Sequence, residues 1–105
     1  MTNITVFSAD NTYIGFCASG HSGYADEGSD IVCAGISALT INFINSVEKF
    51  TEDRFTVDEG DGLLNFRFQD APTDKSRLLI KSLILGLESL KEENRDFITL
   101  DYKEV

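Results

Sequence analysis

The sequence predicts a single α/β domain over residues 1–105, with the element order ββαββαβ and a mixed sheet packed with two helices. Three observations carry this. Short runs of period-2 alternation fall at 3–8, 13–19, 54–58, 63–68 and 97–102. Two longer stretches, one from Asp30 and one after Pro72, instead repeat apolar residues at three- and four-residue spacing. The connections are short, and 105 residues with 42% hydrophobic content suffice for one core but not two.

In order, NITVFS sets Ile4 and Val6 against Thr5 and Phe7, a first strand. Asp10 and Asn11 are turn formers, and YIGFCAS resumes an extended pattern, so the first two strands make a hairpin. GHSGYADEGS, residues 20–29, holds three glycines without apolar periodicity and reads as a loop. From Asp30, the series Val32, Ile36, Leu39, Phe43, Val47 predicts a helix of about 18 residues. A second stripe of Ile31, Ala34, Ala38 and Ile41 predicts that this helix is covered on more than one side. RFTVD and LLNFRF flank Glu59, Gly60, Asp61 and Gly62, a hairpin turn by composition. Thr73 or Asp74 caps a second helix carrying Leu79, Leu83, Leu87 and Leu90, and FITLDY is the fifth strand. Strand order is not readable from periodicity.

Composition excludes several function classes. Eighteen acidic residues against nine basic ones give a net charge of −9, which repels phosphate backbones and suits a basic partner, so no direct nucleic-acid binding is expected. No basic segment followed by an apolar run opens the chain, and no stretch approaches the roughly 20 apolar residues that span a bilayer. The expectation is a cytoplasmic protein that does not engage a membrane. Cys17 and Cys33 are therefore expected as free thiols, and two Cys with one His at these spacings do not make a metal site. No cofactor is implied.

The chemistry concentrates in Gly20–Leu39, GHSGYADEGSDIVCAGISAL. A thiol is a useful nucleophile as its thiolate, which a helix N-terminus and a neighbouring imidazolium both favour. With Ser29 or Asp30 as N-cap, Cys33 falls in the first helical turn, where free amides favour negative charge and can help hold an oxyanion. His21 opens the glycine loop and is the candidate base. Gly20, Ser22, Gly23, Tyr24, Gly28 and Ser29 form the candidate substrate loop, the glycines allowing close backbone approach. Asp30 has two open roles, a helix cap or a third catalytic member orienting His21. Cys17, in a strand pattern between Phe16 and Ala18, reads as packing. The acidic group Asp26, Glu27, Asp58, Glu59 and Asp61 can attract a basic substrate or simply form a solvated face.

Across this segment the sequence resembles the Prp family of ribosomal-processing cysteine proteases. The match lies in a Gly-His pair, a glycine-containing loop, and Gly-x-Asp-ϕ-Val-Cys-Ala ahead of an apolar helix, here Gly20, His21, Gly28, Asp30, Val32, Cys33 and Ala34. The resemblance implies a cysteine endopeptidase that removes the N-terminal extension of a large-subunit ribosomal protein precursor, with Cys33 as nucleophile and His21 as base. It also implies a homodimer, and cleavage after a pair of aromatic residues with an apolar pocket beside Cys33. Ser22 stands where many members have Ala, and its hydroxyl can bond the loop backbone. The competing reading is a non-catalytic ribosome-assembly module that holds a basic ribosomal protein. A thiol-transfer reading through Cys17 and Cys33 lacks a C-x-x-C pair.

Overall fold

The computed structural model describes residues 1–20 and 27–105, the side chains of 27–30 excepted. Its elements are β1 (Thr2–Ala9), β2 (Thr12–Ser19), α1 (Glu27–Phe50), β3 (Phe55–Gly60), β4 (Leu63–Phe68), α2 (Asp74–Glu93) and β5 (Ile98–Glu104). The order is the ββαββαβ expected from the sequence. The five strands form one sheet in the order β3-β4-β2-β1-β5, in which β1 and β5 run parallel and the other neighbours antiparallel.

Both hairpins turn in two residues. Asp10 and Asn11 take positive φ, 52° and 61°, the pattern of a type I′ turn whose twist matches its flanking strands. The second turn is Asp61–Gly62, with Gly62 at φ 67°, so Glu59 and Gly60 belong to β3 and not, as expected, to the turn. Composition marks such a region as turn-rich but does not show where strand pairing stops.

One face of the sheet carries the core. Ile4 and Val6, Phe16 and Ala18, Phe66 and Phe68, and Ile98 and Leu100 point to the same side and bury against Val32, Ile36, Phe43 and Val47 of α1 and Ile80, Leu83, Ile84 and Leu87 of α2. Phe16 stacks on Phe66 at 5.5 Å between centroids, and Phe43 meets Phe66 edge-on at 4.9 Å. Such pairs add about 0.5–1.5 kcal/mol each beyond their buried area. The two helices touch through glycines: a methyl built at Gly35 would meet Leu90 at 3.2 Å, and one at Gly86 would meet Leu39 at 2.9 Å. Thr73 is the N-cap position ahead of α2, and its amide and hydroxyl both donate to the Asp53 carboxylate at 3.0 and 2.6 Å; its side chain makes no cap bond to the helix.

Three expectations about α1 need correction. It starts at Glu27, not Asp30, because the Gly28 in its first turn costs only about 1 kcal/mol of helix propensity, too little to stop a helix whose later turns are buried. Its second apolar stripe is not covered: Ile31 and Ile41 are 66% and 56% exposed, and Ala34 and Ala38 are exposed with them. Finally, Ile31–Phe50 is long and apolar enough to cross a membrane by length and composition, contrary to the expectation that no stretch approaches that limit. Its apolar face, Val32, Ile36, Phe43 and Val47, packs on the sheet.

Candidate active site

β1 begins where β2 ends, and α1 passes over that end of the sheet. Thr2, Ile4 and Val6 alternate toward the helices, so the β1 pattern places a hydroxyl at the edge of an apolar face. There the Thr2 Oγ1 lies 3.9 Å from the Cys33 Sγ, at the limit of a hydrogen bond to sulfur, while the Thr2 amide donates to the Phe97 carbonyl at 2.9 Å. Thr2 is buried and Cys33 half-buried. The thiol is therefore fixed between a helix and the first residue of a central strand and keeps partial access from outside. Thr2 was not among the residues singled out from the sequence, although its place in the Thr2-Ile4-Val6 alternation marks it as a polar group on the core face.

Gly20 follows the last residue of β2 at the same end, since Ser19 pairs with Asn3. Its φ is +83°, and a methyl built on it would lie 2.5 Å from the Met1 carbonyl oxygen. Only glycine satisfies both conditions. His21, Ser22, Gly23 and Tyr24 lie outside the described residues, as do the side chains of Ser29 and Asp30.

The start of α1 changes two expectations about the site. Asp30 is the fourth residue of the helix, so it is not the N-cap, and Ser29 is not either. Cys33 is the seventh, in the second turn. A helix leaves free only its first four amides, so the Cys33 amide is part of the helical ladder and is not available to an oxyanion. The macrodipole also weakens beyond the first turn. The thiol's local partner is instead the Thr2 hydroxyl, which can donate to a thiolate, and a hydrogen bond to an ionised group is worth more than a neutral one.

The two cysteines differ. Cys17 projects from β2 on the face away from the helices, and burial raises its pKa, an effect the nearby Arg67 charge partly offsets. Arg67 lies across Gly15, where an added methyl would meet its Cδ at 2.8 Å, and its guanidinium sits 4.2 Å above the Phe7 ring. Burial holds Cys17 toward the unreactive thiol, in keeping with its reading as packing.

The thiol also sits on a defined helix face. Cys33, Ser37, Thr40 and Ile41 follow at i, i+4, i+7 and i+8, along the α1 flank that turns toward the β3–β4 hairpin. Between that flank and the hairpin is an open cleft of about 250 Å³ lined by Ser37, Thr40, Ile41, Glu59, Leu63 and Leu64, among others. A larger depression, about 830 Å³, lies at the far end of α1 around Lys49–Asp53 and Thr73–Lys75, remote from the thiol.

The cysteine protease Prp family matches residues 1–99, and the chain belongs to that family. It is 31% identical over 86 residues to the ribosomal processing cysteine protease Prp of Staphylococcus aureus, covering 80% of this chain and 81% of that protein. The crystal structure of the essential ribosomal processing protease Prp from S. aureus in complex with a substrate peptide superposes with a TM-score of 0.92 at 26% identity, covering 98% of this chain and all of that one. A second S. aureus structure, with a covalently linked product peptide, gives 0.88 at 27% identity, with 98% of this chain and all of that one covered. The protein is thus a cysteine protease of the ribosomal-processing type, and the non-catalytic reading falls away.

Proposed function

We propose that Cys33 is the nucleophile and His21 the general base of an endopeptidase that removes the N-terminal extension of a large-subunit ribosomal protein precursor. The observation that carries this is the half-buried Cys33 thiol beside Thr2, at the sheet end where Gly20 leads into His21. A covalently linked product peptide in a relative of the same fold supports covalent catalysis by a thiol.

In this mechanism His21 takes the thiol proton and the thiolate adds to the scissile carbonyl carbon. The imidazolium then protonates the leaving amine, and the C–N bond breaks to leave a thioester. His21 next activates water, which hydrolyses the thioester and returns the thiol. The Thr2 hydroxyl donates to the sulfur while it is charged. Asp30, with its cap role removed, is left as an orienting partner for His21. Gly20, Ser22, Gly23 and Tyr24 form the substrate loop, Gly28 and Ser29 belong to the first turn of α1 that follows it, and the net charge of −9 favours approach of a basic substrate. The protein acts in the cytoplasm, as a homodimer of one-domain chains.

The test is incubation with a peptide spanning the extension of a large-subunit ribosomal protein, followed by mass measurement. The wild-type chain and Cys17→Ser should cleave it at one bond; Cys33→Ala and His21→Ala should not. Cleavage by Cys33→Ala at the wild-type rate would sink the assignment.

A further inference from the structure

The two edges of the sheet are built differently. β5 is shielded at its start, where Ile98 and Leu100 are 1% and 6% exposed, and carries Lys103 further on. β3 is bare. Every residue from Thr56 to Gly60 is exposed, the pairing with β4 runs without a bulge, and the strand holds neither Lys nor Pro, so its one edge device is negative charge. We infer that β3 is an exosite, to which a basic, extended segment on the ribosomal-protein side of the cleaved bond adds as a further strand. This rests on the peptidase reading with Cys33 as nucleophile.

The free main-chain groups follow from the register. Gln69 donates to the Arg54 carbonyl at 2.9 Å, and Thr56 and Asp58 stand opposite Arg67 and Asn65, so Arg54, Thr56 and Asp58 bond toward β4. Phe55, Val57 and Glu59 therefore aim their N–H and C=O groups outward, where among the described residues no strand pairs with them. An extended chain supplies the complement at the same spacing, which is recognition by strand addition.

Charge selects the occupant. Asp58, Glu59 and Asp61 are exposed, no Lys or Arg lies between Phe55 and Leu64, and the Arg54 that precedes the strand is paired with Asp70 at 2.7 Å. Two copies of β3 side by side would set carboxylates against each other, whereas Lys or Arg on an added strand would pair with them.

Position lets one polypeptide reach both places. Asn3, Ser19, Leu63 and Gly60 stand in register, so the Gly60 end of β3 lies at the same end of the sheet as Thr2 and Cys33. A strand beyond β3 is four spacings from β1, about 19 Å at 4.8 Å each, which an extended chain at 3.3 Å per residue covers in about six residues. Only the ribosomal-protein side of the bond continues into a basic body, the partner that the acidic chain suits.

The test compares kcat/KM on two peptides of the precursor, one ending about four residues past the cleaved bond and one running about twelve past it, on either side of that reach. Wild type should favour the long peptide by about tenfold or more, the scale of one or two net main-chain hydrogen bonds, and less so in high salt. Val57→Pro removes an outward N–H and leaves the ladder to β4 intact, so the long-to-short ratio should fall close to one, with circular dichroism and a thermal melt to check folding. Asp58→Asn with Glu59→Gln should lower the salt dependence. Should Val57→Pro not fold, N-methylation of alternate residues in the far half of the long peptide makes the same cut from the substrate side. Hydrogen exchange of the Cys33→Ala chain, followed by NMR, should show the amides of Phe55, Val57 and Glu59 protected once the long peptide is bound. If the ratio survives these changes, or the amides stay unprotected, the exosite inference is wrong, while Cys33-dependent cleavage keeps the peptidase reading. Protection that needs no peptide and rises with protein concentration assigns the edge to a second copy and overturns the inference too. If neither peptide is cleaved in a Cys33-dependent manner, the peptidase reading falls and takes the exosite with it.

Discussion

Replacing Gly20 by Ala tests whether the backbone before His21 is held as tightly as its geometry implies. At φ +83° an L-residue is strained by about 1–2 kcal/mol. The new methyl would also lie 2.5 Å from the Met1 carbonyl oxygen, against ordinary contact beginning at 3.4 Å, so one of the two must move by about 0.9 Å, the difference. Both partners are main chain, and neither has a rotamer to adjust. The Met1 side of the contact leads directly into Thr2, and the Gly20 side into His21. Strain of this kind costs of the order of 1–3 kcal/mol, and each kcal/mol lowers Tm by roughly 4–8 °C in a domain of this size. A 1 Å displacement of reacting groups can cost about 100-fold in rate. Gly20→Ala should therefore melt several degrees lower and lose roughly 10- to 100-fold in kcat/KM. Gly60→Ala is the internal control: its methyl meets nothing within 4 Å and its φ is unstrained, so stability should hold or rise by about 0.4–1 kcal/mol. Thermal melts and peptide cleavage on both variants decide the matter. If Gly20→Ala matches wild type in Tm and in rate, the argument that this glycine fixes the site is refuted.

Thr2→Val keeps the shape of the side chain and removes its hydroxyl. Cleavage should slow about tenfold, the effect of losing a hydrogen bond of roughly 1.5 kcal/mol to an ionised sulfur, and an unchanged rate of thiol alkylation and cleavage would remove Thr2 from the site. Asp53→Ala should cost about 0.5–2 kcal/mol in urea unfolding, because it frees the donors of Thr73 at the start of α2. Asp53 also makes a pH prediction: burial alone would raise its pKa, but hydrogen bonds from Ser76 and Thr73 outweigh that and lower it. Its stabilisation is therefore complete above the unfolded value of about 3.9 and is lost as pH falls through the lower folded value. Stability of the wild-type chain should drop in that acidic window by more than stability of Asp53→Ala.

Element order and core residues were legible because they rest on local periodicity: Val32, Ile36, Phe43 and Val47 are spaced as a buried face and are buried. Sheet order was not, because pairing β5 with β1 depends on where α2 carries the chain and not on either strand's own pattern. The start of α1 was misread because Gly28 and the glycines before it looked like loop, and with it went the cap role of Asp30 and the first-turn place of Cys33. Cys33 itself was found from its motif and its helix, whereas Thr2 becomes visible only when β1 and α1 are brought together. The cleft was beyond reach for the same reason: Ile41 and Glu59 are 18 positions apart by their numbers and meet only through the packing of α1 on the hairpin.

The contacts of Leu90 on Gly35 and Leu39 on Gly86 bear on this in a different way. They lie on the α2 side of α1, across the helix axis from the flank with Cys33, Ser37 and Ile41. A helix seated on one side by leucines pressed against bare backbone has little freedom to roll, so the direction in which the thiol points is set by packing on the opposite side of the same cylinder. A methyl added at Gly35 would lie 3.2 Å from the Leu90 methyl carbons, so that side chain would have to give by a few tenths of an ångström, and the seating on that side would loosen. The aim of the nucleophile is thus set in part from the seam between the two helices, on the side of α1 away from the thiol.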